Sequence, residues 1–574
     1  MRYLLKKTWI KIPLIFLLLV YFVPYFSFRP EFFLLCVFFS FLTYIFYGKI
    51  NRHFIHVALF LLATFILIYS FLHFRGSSWD AYYYVRNVLL LKEKNLRPLT
   101  FLESAYFPYF GELALAFVWK VFGFHYANML FGLIALLSVL IVYKLFSELG
   151  LSRDLSAVSL LILFTSPLFL HFIFFQYKFD LFLFLFVLLA TVFWVRLLKG
   201  FLWPGNFALA GLFLSLAVLT KVTFLPFAIL LIFFIGFRLW KSFNTFSRTT
   251  ASSYLLLCFC FIFPLILWYF YSGGVKIPFV GSFSSSGPPI ILDRDSVVLK
   301  GCWTEKHRAD YTHNHFDSDP LWKQPYFFVT NSSGKLNGFY NMFDPGVFLY
   351  LSIFIFPLVG RSIYNDPRYS IYLFVYVMLA LTLYFVYVRG VFWYIIFVFP
   401  FLAPAFPYLC KVWFGVSQRF LFSIFGGVAF SSMFLGILLS FGQLDASPNL
   451  SELSGIYLRG VREQNESISH IVSSGYILDA SEHPHHVNFM FFPNYDTRVL
   501  RSNYYFVTAN KSFYEMHKEL IDNNIKYIAV HKDKLPDTWY QKLPRKNNEI
   551  LLEFLDKYTV PIYPKENPFL FEIL

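Results

Sequence analysis

The sequence predicts a polytopic α-helical membrane protein that ends in a small soluble domain. Of its 574 residues, 58% are hydrophobic and only 14% are charged, so the chain lacks the charged exterior of a soluble protein. Apolar runs of roughly 17 to 22 residues recur between residues 11 and 441, and each is long enough to cross about 30 Å of hydrocarbon. From residue 442 the sequence becomes mixed and polar.

The apolar runs predict about 13 transmembrane helices. The first run follows Lys6 and Lys7, and because no small-residue cleavage site comes after it, we interpret it as an uncleaved span. The spans are expected near residues 11–28, 31–47, 54–74, 126–146, 155–174, 181–198, 203–220, 222–240, 251–271, 346–361, 370–388, 391–410 and 416–441.

Basic clusters between the runs predict the orientation. With the amino terminus in the cytoplasm, every loop that holds such a cluster falls on the inside, as the positive-inside rule requires. These clusters are Lys49 and Arg52, Arg153, Arg196 and Lys199, Arg238 with Lys241 and Arg248, Arg361 and Arg368, and Lys411 and Arg419.

The run from Asn206 to Phe237 contains no polar loop and is either one long span or two. One span would place the basic stretch from Arg238 to Arg248 outside and invert every later loop. We therefore expect two spans joined by a tight outer turn at Lys221.

This topology divides the chain into transmembrane and outer regions. Transmembrane helices are expected in residues 1–74, 126–271 and 346–441, and outer segments in 75–125, 272–345 and 442–574. In the last segment, β-type runs at Tyr476 to Leu478 and Tyr527 to Val530 surround a helical stretch from Phe513 to Asn523, which predicts a small α/β domain. We expect function to reside in the outer segments.

The composition also argues against a nucleic-acid partner and against a disulfide framework. The net charge of +15 is spread through the loops as topology information, so we expect no nucleic-acid partner. Four of the five cysteines lie in or beside apolar runs and Cys302 stands alone in a polar loop, so no disulfide framework is expected.

Two carboxylates are the candidate catalytic residues. Asp80 lies in Arg75-Gly-Ser-Ser-Trp-Asp80-Ala-Tyr-Tyr-Tyr-Val-Arg86, directly after the third span, where it can accept a proton from a hydroxyl; a helix cap or an interfacial charge is the alternative. Asp180 ends Gln176-Tyr-Lys178-Phe-Asp180 at the outer end of the sixth span and should face the same boundary layer. The donor and acceptor cavity is expected to include Tyr82, Tyr83, Tyr106 and Lys178.

Cations at the outer ends of spans are candidates for binding a lipid phosphate. Lys221 and Arg389 both fall at such ends, and Arg86 follows Asp80 closely. Ionisable groups near membrane depth are functional candidates, although long basic side chains also snorkel to the interface without further function.

Metal binding is not expected. Histidines cluster at His307, His313 and His315 and again at His483, His485 and His486, but without the spacing of a zinc site, and solvated loops are the simpler interpretation. The acidic pairs Asp293 and Asp295, and Asp317 and Asp319, match a divalent-cation pair that is common by chance.

Four motifs in order resemble the GT-C superfamily of glycosyltransferases, in the branch of protein O-mannosyltransferases and lipid A aminoarabinose transferases. They are Trp79-Asp80-Ala-Tyr-Tyr-Tyr with the later stretch from Tyr106-Phe-Pro108 to Phe-Gly123; Thr165-Ser-Pro167 with Asp180; Gly211-Leu-Phe-Leu-Ser-Leu-Ala-Val-Leu-Thr-Lys221; and Arg389 before Tyr394, Pro400 and Pro404. The resemblance covers roughly residues 70 to 410. The chain departs from the family at Ala81 and Phe107, and it has two extra spans before the first outer loop.

The resemblance implies a GT-C fold and an inverting transfer from a polyprenyl-phosphate sugar without a metal or other cofactor. Asp80 would act as the base, Asp180 would hold the acceptor or position Asp80, and Arg389, Lys221 and Arg86 would offset the lipid phosphate charge. The implied partners are the lipid-linked donor, membrane lipids and a protein, lipid or glycan acceptor. We expect a bacterial inner membrane, with the site facing the periplasm or exterior.

Two alternatives stay open. A polysaccharide polymerase or ligase with diphosphate-linked donors shares many spans and a large outer loop, and would use outer-loop Arg and His. A lipid-linked sugar transporter would show charges within spans and symmetric halves, and the sequence shows neither clearly.

Overall fold

A computed structural model of the chain describes two compact units, one helical and one that contains a β-sheet. The described residues are 30–46, 52–72, 87–88, 91–92, 94–98, 108–174, 179–242, 248–272, 346–364, 375, 396–444, 468, 470–472, 474–479, 499–501, 512–522, 524–530, 546–563 and 570–574.

The helical unit is built from apolar helices in the order in which the sequence predicts them. The helices are α1 (Pro30–Phe46), α2 (Arg52–Leu72), α3 (Phe110–Phe122), α4 (Phe124–Glu148), α5 (Arg153–Phe164), α6 (Pro167–Phe174), α7 (Asp180–Leu198), α8 (Pro204–Thr220), α9 (Leu225–Ser242), α10 (Arg248–Tyr271), α11 (Val347–Ile363), α12 (Phe399–Leu402), α13 (Ala405–Trp413) and α14 (Gln418–Leu444).

Helices α4 and α7 run parallel with a constant register. Phe131 of α4 packs against Phe179, the residue before α7, with ring centroids 5.6 Å apart. Farther along, Glu148 Oε1 accepts a hydrogen bond from Arg196 Nε at 3.1 Å, again between residues 48 positions apart in the sequence. The starts of α4 and α7 therefore share one end of the unit, the Asp180 end, and their last residues share the other, the Glu148 end.

Helices α8 and α9 form a hairpin that turns at Lys221. Helix α8 ends at Thr220, Lys221 is extended (φ −148°, ψ 114°), and one 3₁₀ turn leads into α9. Lys221 reaches Asp180 at the start of α7, whereas Phe234 of α9 packs against Trp194 near the end of α7 at a centroid distance of 5.9 Å. Helix α9 thus returns toward the Glu148 end, and the predicted tight turn at Lys221 is present.

The predicted span at 155–174 is broken. Helices α5 and α6 meet at Thr165-Ser166-Pro167 with a bend of 65°. Pro167 has no N–H to donate and its ring clashes with the preceding turn, so a straight helix cannot continue through it. The Ser-Pro motif therefore marks a change of direction within one apolar run.

Among the described residues, four helices are long and apolar enough to cross a membrane, and a fifth if α5 and α6 count as one bent span. The four are α4, α7, Thr250–Tyr271 of α10 and Gln418–Leu438 of α14. Large apolar side chains are exposed on helices of this unit, such as Phe233 of α9 at 69% and Phe270 of α10 at 72%, which suits a lipid environment and not water. The chain is a helical membrane protein. The predicted span at 11–28 lies outside the described residues, and of 370–388 only Val375 is described.

The carboxyl-terminal segment contains a five-stranded mixed sheet. Its strands are β1 (Tyr476–Asp479), β2 (Val499–Arg501), β3 (Ile525–Ala529), β4 (Thr559–Tyr563) and β5 (Leu570–Ile573), in the order β2-β1-β3-β5-β4. Strand β1 is parallel to β2 and β3, and β5 is antiparallel to β3 and β4.

Helices α15 (Phe513–Asp522) and α16 (Lys546–Tyr558) accompany this sheet. Leu520 and Phe554 bury their side chains with Ile528 in one apolar cluster, while Ile477 and Tyr527 belong to a second cluster. Because successive residues of a strand point to opposite faces, the sheet has a core on each face.

Candidate active site

Asp180 and Lys221 form an ion pair at the Asp180 end of the helical unit. Lys221 Nζ donates to Asp180 Oδ1 at 2.8 Å; the Asp180 side chain is fully buried and that of Lys221 is 15% exposed. Each residue stands at a helix terminus, Asp180 as the first residue of α7 and Lys221 directly after α8. The antiparallel packing of α7 and α8 brings together two residues that are 41 positions apart.

The second carboxylate oxygen of Asp180 takes no part in the ion pair. Asp180 Oδ2 is buried and has no hydrogen-bond partner within the part of the chain that the structure describes. An ionised carboxylate offers about four acceptor positions, and the dipole at the start of α7 favours its negative charge. Asp180 is therefore held in a fixed orientation by Lys221, with one oxygen able to accept a hydrogen bond from a bound molecule.

Phe179 joins three helices beside Asp180. Its ring packs on Phe131 of α4 and lies against Gly111 of α3, where a Cβ atom would come within 2.3 Å of it. Only a glycine permits this approach, which places the first turn of α3 directly against the start of α7. Helix α3 lies within the motif stretch from Tyr106 to Gly123.

Two further polar residues at this end were not singled out from the sequence. Glu112, in the first turn of α3, is 1% exposed, and Asn128, in the second turn of α4, is 3% exposed. A polar side chain inside or beside an apolar run is itself a signal, because burying it at membrane depth is unfavourable without a partner.

The Glu148 end carries a different charge pattern. Glu148 binds three cations, with Lys144 Nζ at 3.2 Å, Arg196 Nε at 3.1 Å and Lys199 Nζ at 3.3 Å. Three positive charges against one carboxylate leave an excess of two. The two ends thus differ, since the Asp180–Lys221 pair is neutral in sum and more deeply buried.

The other seven predicted site residues all lie outside the described residues, namely Asp80, Arg86, Arg389, Tyr82, Tyr83, Tyr106 and Lys178. The same holds for both histidine clusters and the acidic pairs. Within the described ranges, no group of three or more His, Cys, Asp or Glu side chains is placed to hold a metal ion. The four described cysteines are free thiols.

Comparison with known proteins gives similar solved structures but no matching family. No protein-family profile and no curated protein matches the chain. The crystal structure of ArnT from Cupriavidus metallidurans bound to undecaprenyl phosphate is similar, with a TM-score of 0.45 and 12% identity over 91% of this chain and 98% of that one. At this identity and TM-score, no residue role passes from one chain to the other.

Proposed function

We propose that this chain is a membrane glycosyltransferase that moves a sugar from a polyprenyl-phosphate donor to an acceptor on the outer side of the membrane, with inversion at the anomeric carbon. The reaction would take place at the Asp180 end of the helical unit. The four ordered motifs motivate the reaction class, and the buried Asp180–Lys221 pair is the structural observation that carries the proposal.

The position of this pair supports an outer site. Helix α7 has 19 residues and is about 28 Å long, so its two ends are separated by about the thickness of the hydrocarbon layer. Excess positive charge favours the cytoplasmic side, and the Glu148 end has it. The Asp180 end then faces outward, where a lipid-linked sugar meets its acceptor.

The chemistry requires a base, an oriented acceptor and cations at the leaving phosphate. Asp80 would take the proton of the acceptor hydroxyl while the hydroxyl oxygen forms a bond to the anomeric carbon. The bond between that carbon and the phosphate oxygen would break, and its electron pair would stay on the phosphate oxygen. Asp180 Oδ2 would accept a hydrogen bond from a substrate hydroxyl. Arg389 and Arg86 would stabilise the charge on the departing lipid phosphate.

The ion pair changes the role proposed for Lys221. Because one N–H of its ammonium group is directed at Asp180, its charge is largely compensated locally. Its main contribution is then to hold Asp180 in place.

The proposal is tested by transfer assays on the full chain in proteoliposomes with a panel of undecaprenyl-phosphate sugars. Asp80→Asn should lower the transfer rate by about 10²–10⁴-fold, the usual contribution of a positioned base. Asp154→Asn is the matched control, because Asp154 lies in the first turn of α5 and outside the proposed machinery; it should leave the rate unchanged.

Two outcomes would contradict the proposal. If the Asp80→Asn variant transfers sugar at the wild-type rate, Asp80 is not the base and the proposed mechanism is wrong. Activity that survives Asp80→Asn but is lost on replacing outer-loop His or Arg residues would favour a polymerase or ligase with diphosphate-linked donors. The acceptor is identified by mass spectrometry of envelope glycans and glycolipids in a deletion strain and its parent.

A further inference from the structure

Asn128 is a buried polar side chain in an apolar helix. It lies in the second turn of α4 and is 3% exposed, and neither its Oδ1 nor its Nδ2 atom has a hydrogen-bond partner among the described residues. A buried amide without partners destabilises a fold, and an apolar side chain of the same size would fit there without this penalty. An unsatisfied group of this kind indicates a bound molecule that completes its hydrogen bonds.

The height of Asn128 in the bundle follows from the register of α4 and α7. Residues of α4 and α7 that lie at the same height differ by 48 in residue number, so Asp180 lies at the height of Gly132. Asn128 precedes Gly132 by one turn and thus lies about 6 Å closer to the Asp180 end. It is on the side of Asp180 that faces away from the Glu148 end.

The direction of the Asn128 side chain follows from its neighbours on α4. At about 100° per residue, Asn128 lies about 60° around the helix from Phe131 and about 40° from Gly132. Phe131 faces Phe179 at the start of α7, and Gly132 lies against Ser70 near the end of α2, where a Cβ atom would come within 2.6 Å of Ser70 Oγ. Asn128 therefore points between the end of α2 and the start of α7.

Asn128 and Asp180 lie at the same end of the helical unit. Helix α7 begins with Asp180, and α2 ends at Leu72. His125 fixes the end of α2 to the start of α4 through a 2.9 Å contact of its Nδ1 with the Phe71 carbonyl oxygen. The Asn128 amide and Asp180 Oδ2 are thus two buried polar groups at this end that have no hydrogen-bond partner within the part of the chain that the structure describes.

We propose that Asn128 is a substrate-binding residue that hydrogen-bonds a hydroxyl group of the donor sugar. An amide both donates and accepts, which matches a hydroxyl; a phosphate only accepts and calls for a cation, and a prenyl chain does neither. The inference rests on the proposed function and deepens it, because it assigns a residue to recognition of the sugar in addition to the lipid phosphate.

The test compares ligand-induced stabilisation and kinetics in full-length protein. The probes are bare undecaprenyl phosphate and the undecaprenyl-phosphate sugar of the panel that the wild type transfers. Asn128→Leu should keep its melting temperature, or gain a few degrees, and should respond to undecaprenyl phosphate like the wild type. It should lose the additional stabilisation that the sugar-bearing lipid gives, and its kcat/KM should fall on the order of 10-fold, as expected for one or two lost hydrogen bonds.

The matched control is Asn206→Leu, the same change at the start of α8 and at the opposite end of the unit. Asn206 Nδ2 donates to the Phe201 carbonyl oxygen at 2.8 Å, so this variant should lose stability while its response to both lipids stays unchanged. If Asn128→Leu retains the response to the sugar-bearing lipid and wild-type kinetics, an ordered water satisfies the amide. The inference on Asn128 is then wrong, while the proposed function stands. If the wild type transfers no sugar from any donor, the proposed function fails and the inference falls with it.

Discussion

Removal of the Lys221 ammonium group should destabilise the helical unit more than any other single lysine change at a helix end. Lys221→Met keeps the length of the side chain but leaves the fully buried Asp180 carboxylate without its 2.8 Å partner. At that distance and an effective dielectric constant of about 20, the attraction is about 6 kcal/mol before desolvation is subtracted. Breaking one partner of a buried pair typically destabilises by about 3–5 kcal/mol, because an uncompensated charge remains in the interior.

The double variant Asp180→Leu with Lys221→Met separates folding from catalysis. Because it removes both charges, its loss of stability should be smaller than that of Lys221→Met alone. Transfer activity should stay low, since Asp180 Oδ2 is gone as well. The assay is thermal unfolding of the detergent-solubilised chain, followed by transfer rates in proteoliposomes.

Lys199→Met provides the matched control for this experiment. Lys199 is 27% exposed and shares Glu148 with Lys144 and Arg196, so Glu148 keeps two cations when Lys199 is lost. The expected loss is below about 1 kcal/mol, as for exposed ion pairs. Equal stability of Lys221→Met and Lys199→Met, or a double variant as unstable as Lys221→Met, would refute the buried-pair reasoning.

Two further predictions concern packing and capping. Gly211→Ala should destabilise the helical unit by about 1–3 kcal/mol, because the new Cβ would lie 2.3 Å from the Leu257 carbonyl oxygen of α10; an unchanged melting temperature would show that α8 and α10 separate freely. In the carboxyl-terminal segment, the Ser512 hydroxyl and the Glu515 carboxylate cap the start of α15 reciprocally, with Ser512 N donating to Glu515 Oε2 at 2.8 Å. Ser512→Ala should destabilise α15 by about 1 kcal/mol, seen as roughly fivefold faster amide exchange in residues 513–522 of the full chain, and unaltered exchange would contradict the cap.

The motif residues that the sequence analysis used for the family resemblance have local physical roles in the structure. Gly211 opens the Gly-Leu motif and is the point where α8 touches the backbone of α10. Pro167 of the Ser-Pro motif ends α5 and starts α6. Such roles depend on backbone geometry within a few residues, which explains why short motifs carry them.

The sequence by itself determined the apolar helices, their order and several of their breaks, including the turn at Lys221. Hydropathy and the placement of Pro, Gly and basic residues are local properties, and they are readable along the chain. It also placed Asp180 and Lys221 at the same predicted end, but in separate roles.

Only the tertiary structure decided that Asp180 and Lys221 form one ion pair and that the Asn128 amide has no hydrogen-bond partner among the described residues. Both facts depend on which helix faces which and at what height, and hydropathy does not encode the rotation of a helix within a bundle. The 65° bend at Pro167 and the approach of Gly111 to Phe179 arise in the same way, from packing between elements that are distant in sequence.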